Sequence, residues 1–126
     1  MGQFEVSLRL VVTGKIPNAG LEVLRQAGFT PDAWMNDTAI SRQELLEKVK
    51  GADVLVTLLT ERVDDELLQA AGPQLKAVCN VAVGYNNIDV AACKSRNVLV
   101  TNTPGVLTDA TADIAMALIL MVTRRL

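Results

Sequence analysis

The sequence predicts an α/β fold: an open, mostly parallel sheet covered by helices. Three observations carry that reading. Apolar runs of strand length alternate with amphipathic segments of helix length from one end of the chain to the other. Ala52 to Leu59 is apolar except at Asp53 and Thr57, as expected of an inner parallel strand buried on both faces. Glycines, prolines and capping residues fall where each helix should start or stop. Crossovers between parallel neighbours are then expected to be right-handed.

Each element has its own signal. Val6 to Val12 reads as a strand rich in Val and Leu, followed by a turn at Pro17 and Asn18. A short helix follows, with Leu21, Leu24 and Val23 toward the sheet, and Gly28 stops it. A weak strand is expected over Ala33 to Met35. Ser41 with Glu44 three residues on forms a capping box for the helix carrying Leu45, Leu46 and Val49, which Gly51 closes. After the inner strand, Asp64, Asp65 and Glu66 put negative charge on a helix's first turn, where unpaired N–H groups favour it. Leu67 and Leu68 anchor that helix and Gly72-Pro73 breaks it. Leu75 to Val83 is the next strand, Asp89 caps a helix over Val90 to Arg96, and Val98 to Thr101 is a last short strand.

Pro104-Gly105 marks a boundary. Beyond it, Thr108 is placed to cap one long helix with apolar residues at Ala112, Ala115, Met116, Ile119, Val122 and Leu126, widened by Leu118 and Leu120. A surface helix needs one apolar face; this one is built to be covered on most sides. Further sequence after Leu126, or a partner that covers the helix, is therefore expected.

Composition bounds the function. The 126 residues are half apolar and 21% charged, with a net charge of −2 and no long block of either sign. That is ordinary globular composition, and it lacks the basic stripe of a nucleic-acid surface. Cys79 and Cys93 sit in apolar contexts and are expected as reduced core thiols. With no histidine in the chain, a Cys/His zinc site has too few ligands. The apolar run between Arg9 and Lys15 is too short for a signal-peptide core, and Ala110 to Val122, interrupted by Asp113, is too short to span a bilayer. A cytoplasmic location is the default expectation.

No complete active site can be assembled from these residues. Gly14 and Gly20 lack the spacing of a dinucleotide-binding turn, and Gly14-Lys15 is in the wrong order for a P-loop. Asn80 to Asn87 leaves the carboxyl end of an inner strand, where open α/β sheets bind ligands. There Gly84 allows close approach of a ligand or a positive φ, and neighbouring N–H groups can hold a small carboxylate. The same residues also make a sound strand-to-helix turn, with Asn86 and Asn87 suited to its corner, and both readings stand. Leu59-Thr60 either lines the same crevice or simply ends its strand. Thr111 either offers a donor to a phosphate at a helix start or is part of that start, as Asp113 is. Arg62 is a carboxylate clamp or a solvated loop residue. Asp53, Asp64 and Asp109 each have a structural explanation, which leaves no general acid or base and no catalytic residue to name.

Three blocks, in order, carry a resemblance. They are Val83-Gly84-Tyr85-Asn86-Asn87-Ile88-Asp89, then Val98-Leu99-Val100-Thr101-Asn102-Thr103-Pro104-Gly105-Val106-Leu107, then Thr108-Asp109-Ala110-Thr111-Ala112-Asp113, closing with Arg124-Arg125-Leu126. With them the chain resembles the D-isomer-specific 2-hydroxyacid dehydrogenases, in their glyoxylate and hydroxypyruvate reductase branch. The resemblance implies a three-layer, flavodoxin-like or Rossmann-like open parallel sheet with a long C-terminal linking helix. It implies a substrate-binding lobe over residues 1–103 and an interdomain linking helix over 104–126, with the nucleotide-binding domain absent from this chain. Val83 and Gly84 then correspond to the backbone pair that binds the substrate carboxylate, and Leu59 to an apolar substrate contact. Thr111, with Val83, corresponds to a contact with the nicotinamide side of the dinucleotide. The family's catalytic Arg, Glu and His have no counterpart here. The implied parent reduces a small 2-oxo acid, glyoxylate or hydroxypyruvate, with NADP or NAD as cofactor, and dimerises through the linking-helix region. The chain alone is expected to be inactive and to hold no cofactor tightly, with no metal, nucleic-acid or membrane partner. The alternative is a stand-alone α/β small-ligand-binding or regulatory domain. Its receiver variant is disfavoured because the first strand lacks the acidic cluster that would hold Mg²⁺.

Overall fold

A computed structural model describes residues 8–26, 28–82 and 84–102. In chain order the elements are β1 (Leu10–Val12), α1 (Asn18–Gln26), β2 (Asp32–Ala33), α2 (Arg42–Lys48), β3 (Val54–Thr57), α3 (Asp65–Ala71), β4 (Ala77–Asn80), α4 (Val90–Ser95) and β5 (Leu99–Asn102). The five strands are all parallel, in the order β2-β1-β3-β4-β5. This is the doubly wound order of flavodoxin-like sheets, whose chain direction reverses between β1 and β3. The expected α/β parallel sheet is what the chain forms. The expected linking helix over 104–126, with Thr108 and Thr111, lies outside the described residues.

The period-two alternation of the strands divides the core. Val11, Leu55 and Val78 face one side and pack with Leu45 of α2 and its C-cap Val49, Leu67 and Leu68 of α3 and Cys93 of α4. Leu10, Val12, Val54, Val56, Ala77 and Cys79 face the other side, with Leu21 and Leu24 of α1. Both faces of the inner strands are therefore apolar, which is why their sequence reads as continuous hydrophobic runs. Of the α1 positions read as inward, Leu21 and Leu24 are buried and Val23 is half-buried.

The helix stops and starts follow the expected chemistry. Ser41 and Glu44 form the reciprocal capping box, while Asp64 accepts from the Leu67 N–H and Asp89 from the Ala92 N–H. Gly28 has φ 99° and donates to the Arg25 carbonyl while Phe29 donates to Leu24, a paired bonding pattern that closes α1. Asn97, at φ 59°, does the same for α4, with Val98 donating to the Cys93 carbonyl.

The strands are shorter than the apolar runs that announce them. β3 ends at Thr57 because the Leu58 N–H turns from the ladder to the Glu61 side chain at 2.8 Å. β4 ends at Asn80, whose side chain enters a loop network. The weak edge strand lies at Asp32–Ala33 rather than Ala33 to Met35. Asp32 is fixed there by Arg9 at 3.0 Å and Lys48 at 2.9 Å, which sets the register against β1.

Candidate functional site

At the β1/β3 reversal, where this topology usually binds its ligand, the loops after the two strands pack closely on each other. Glu61 is only 2% exposed. Its Oε1 accepts from the Thr13 hydroxyl at 2.7 Å and the Leu58 N–H at 2.8 Å, and its Oε2 accepts from the Thr60 hydroxyl. A Cβ on Gly14 would lie 2.3 Å from Leu58 Cδ1, so the loop after β1 sits tight against the loop after β3. A buried carboxylate at this point opposes an anionic ligand. The first strand's end therefore does not fit the pyrophosphate of a dinucleotide.

The open ground lies one strand over, between the loops that leave β3 and β4. A polar network joins them. The Thr57 hydroxyl donates to Asn80 Oδ1 at 2.8 Å, and Asn80 Nδ2 donates to Asn87 Oδ1 and to the Gly84 carbonyl, both at 3.0 Å. Asn87 Nδ2 in turn reaches the Leu58 carbonyl at 3.1 Å, the Glu61 carbonyl at 2.8 Å and Asn80 Oδ1 at 3.2 Å. Backbone bonds reinforce the junction: Val63 donates to the Asn87 carbonyl and Asp89 to the Val63 carbonyl, each at 2.8 Å. Asn80 is fully buried, so each of its bonds replaces one lost to water.

A cleft of about 430 Å³ opens over this junction, lined by Leu59, Thr60, Arg62, Val63, Asn86 and Asn87. Asp64 and Asp89 border it, but both are engaged. Asp64 caps α3 and accepts from Arg42 at 2.5 Å, with Arg62 Nε 3.6 Å away. Burial works against the Asp64 charge, but the bonds from Arg42 and the Leu67 N–H outweigh it and hold the carboxyl below its ordinary range. Asp89 caps α4.

The residues singled out from the sequence fall as follows. Leu59 stands in the turn after β3, 57% exposed, on the rim of the cleft. Gly84 is exposed in the loop after β4; a Cβ there would meet nothing within 4 Å, and it is not among the described glycines with positive φ. Asn86 and Asn87 form the corner of a turn closed by the Ile88 N–H on the Tyr85 carbonyl at 3.0 Å. Arg62 projects into solvent, its side chain 81% exposed, and no described carboxylate other than Asp64 holds it. Val83 and Thr111 lie outside the described residues.

Glu61, Asn80 and Asn87 as a network were missed by sequence reasoning. A signal existed for one of them: Asn80 is the polar residue that interrupts the apolar run from Leu75 to Val83. A polar side chain in an inner strand must find partners in the protein. Among the described residues no cluster of three His, Cys, Asp or Glu could hold a metal ion, and no helix is long and apolar enough to cross a membrane.

Known proteins give this geometry its context. Residues 10–123 match the family described as D-isomer specific 2-hydroxyacid dehydrogenase, catalytic domain. The chain is 49% identical over 118 residues to a glyoxylate reductase of Thermococcus onnurineus, covering 94% of this chain and 35% of that protein. A crystal structure of a Thermus thermophilus protein superposes with a TM-score of 0.73 at 37% identity, covering 94% of this chain and 37% of the other. An NAD⁺-bound 3-phosphoglycerate dehydrogenase of Entamoeba histolytica gives a TM-score of 0.69 at 26% identity, covering 79% of this chain and 34% of that one. The chain thus spans about a third of the length of the relatives it matches. With its parallel sheet in the 2-1-3-4-5 order and a match running over residues 10–123, the chain belongs to the D-isomer specific 2-hydroxyacid dehydrogenase family, as part of its catalytic domain.

Proposed function

We propose that the chain supplies one wall of the substrate site of an NAD(P)H-dependent reductase of small 2-oxo acids, glyoxylate or hydroxypyruvate. The observation that carries this is the exposed Gly84 loop at the carboxyl end of β4, anchored by a buried Asn80 beside a cleft with Leu59 on its rim. Backbone N–H groups of that loop bind the substrate carboxylate, and Leu59 offers an apolar contact to the rest of a small acid. Val83 and Thr111 are the proposed contacts to the dinucleotide, on the strength of the family resemblance. The buried Glu61 at the switch point supports placing the dinucleotide's pyrophosphate elsewhere in the parent. The role of this part of the chain is to bind and orient. Proton and hydride transfer belong to the remainder of the parent enzyme, which agrees with the absence of histidine here.

Two measurements test the proposal. Titrating glyoxylate into the ¹⁵N-labelled chain should shift the Gly84 amide resonance, and resonances far from the cleft should stay in place. Glyoxylate-dependent oxidation of NADPH or NADH by the same chain should not exceed a blank. Turnover that survives further purification would refute the assignment of the chemistry to residues elsewhere; a Gly84 resonance indifferent to glyoxylate would refute the wall itself. The proposal also has two copies of the chain associating through residues 104–126, whose largely apolar sequence favours burial. Sedimentation equilibrium showing only monomer at high concentration would overturn that part.

A further inference from the structure

We infer that the Tyr85 N–H is an additional donor to the substrate carboxylate, and that Asn80 is the positioning residue that aims it. The inference rests on the carboxylate-wall reading given above and names a group that reading does not include. Its basis is peptide geometry. In a trans peptide the carbonyl and the following N–H point in opposite directions across one rigid plane, and the described chain has no cis bond. The Gly84 carbonyl is drawn inward by Asn80 Nδ2 at 3.0 Å, and Asn80 itself is fully buried at the end of β4. The other edge of that plane, the Tyr85 N–H, is therefore turned away from the sheet, above the carboxyl ends of the strands.

Three further observations fit a donor held ready. Tyr85 is 53% exposed, and no described residue accepts from its N–H. A Cβ at Gly84 would meet nothing within 4 Å, so the space beside this peptide is open to a ligand. Asn80 is fixed from both sides, by the Thr57 hydroxyl at 2.8 Å and by the Asn87 amide, so its grip on Gly84 is rigid. Asn87 ties the same amide pair to the Leu58 and Glu61 carbonyls, which locks the Gly84 loop to the loop bearing Leu59. The ligand class is a small monocarboxylate. Successive backbone N–H groups form a concave anion site without a charged side chain, and the nearby acids are already engaged.

The test is a glyoxylate titration of the ¹⁵N-labelled 126-residue chain at constant ionic strength, run on the native chain, Asn80→Ser and Thr57→Val. Serine is neutral and too short to reach the Gly84 carbonyl. Thr57→Val removes a bond from the same cluster without touching that carbonyl, and so controls for lost stability. In the native chain the Tyr85 amide resonance should move downfield with the same saturation curve as Gly84. Asn80→Ser should weaken binding about tenfold, the loss of roughly one well-aligned hydrogen bond, and should abolish the Tyr85 shift; Thr57→Val, which removes one of the two holds on Asn80 but leaves its bond to Gly84, should weaken binding by less and keep the Tyr85 shift. A Gly84 shift without a Tyr85 shift in the native chain would overturn this inference and leave the carboxylate wall standing. No shift at either amide would overturn both. If Asn80→Ser does not fold, the comparison of Tyr85 with Gly84 in the native chain still decides the donor, and equal weakening in both variants would remove the positioning role.

Discussion

Glu61 is the residue whose removal should reveal most about how this sheet is closed. Alanine at this position deletes an acceptor for Thr13, the Leu58 N–H and Thr60 inside the protein. Thr13 keeps a second partner, the Val56 carbonyl at 3.3 Å, but the Leu58 N–H is left with none among the described residues. An orphaned buried donor costs ~1–3 kcal/mol, and the space vacated by the side chain adds about 1 kcal/mol more. Against this stands relief from holding a carboxylate out of water. With that relief offsetting about 1 kcal/mol, Glu61→Ala should destabilise by roughly 1–3 kcal/mol. Glu61→Gln keeps one acceptor oxygen for Thr13 and Leu58, and its amide can donate to Thr60 once that hydroxyl rotates. Its cost should stay near 0.5–1.5 kcal/mol, on the order of one neutral bond. Urea unfolding at neutral pH measures both: with a slope of about 2 kcal/mol per molar, Ala should lower the midpoint by roughly 0.5–1.5 M. If both variants fall within about 0.5 kcal/mol of the native chain, as surface substitutions do, the carboxylate is solvated and the β1/β3 crevice is not closed.

Three further outcomes follow from other parts of the fold. The bond from Lys48 chiefly holds the Asp32 carboxyl below its ordinary range, with Arg9 assisting against desolvation; because the folded value is the lower one, this contribution is present above about pH 4 and lost as pH falls through the folded value. Asp32→Asn should flatten the acid limb of stability by under about 1 kcal/mol, given its half-exposed site, and an unchanged limb between about pH 2.5 and 6 on urea unfolding would refute this. Burial raises both thiols, Cys79 and Cys93, to about 11, so neither should react with a disulfide reagent at about pH 8 until urea unfolds the chain; rapid labelling of the folded chain would refute it. Asn97 closes α4 at φ 59°, so Asn97→Ala should cost about 1 kcal/mol while Asn97→Gly stays within about 0.5 kcal/mol; equal losses by thermal melting would show that the left-handed backbone is not what matters.

The architecture was legible because its determinants are local. Ser41 with Glu44, Asp89, Gly28 and Gly72 each mark a helix end by chemistry acting within a few residues, and each is used as read; Asp64, read as a first-turn charge, is the N-cap itself. Strand ends were less legible. Whether Leu58 continues β3 depends on Glu61 claiming its N–H, which no window of hydrophobicity reveals. The register of β2 depends on Arg9 and Lys48 meeting Asp32 from 23 and 16 residues away. The site shows the same division. Gly84 and Leu59 could be picked out because they lie at strand ends, where this class of sheet binds ligands. Asn80 and Asn87 could not be paired by spacing alone, since Asn87 looks like ordinary turn composition until it is seen reaching the Leu58 and Glu61 carbonyls.

On the proposed function, that pairing also explains how one topology can serve a small acid instead of a nucleotide. The 2-1-3-4-5 order provides a crevice at the β1/β3 reversal. A glycine-rich turn there would expose N–H groups for a pyrophosphate. Here the same place carries Glu61, with the Leu58 side chain pressed on Gly14, and both the charge and the volume exclude an anion. The proposal places the anion's donors instead beyond β4, on a loop whose carbonyl at Gly84 is held down from within. Asn80 has two functions in this arrangement. It satisfies its own burial through Thr57 and Asn87, and it uses its remaining donor to turn one peptide outward. Leucine would fit the strand equally well by volume and could do neither. A buried polar residue that is fully bonded, and whose last bond fixes a surface peptide, is better explained by what that peptide presents than by the stability of the core.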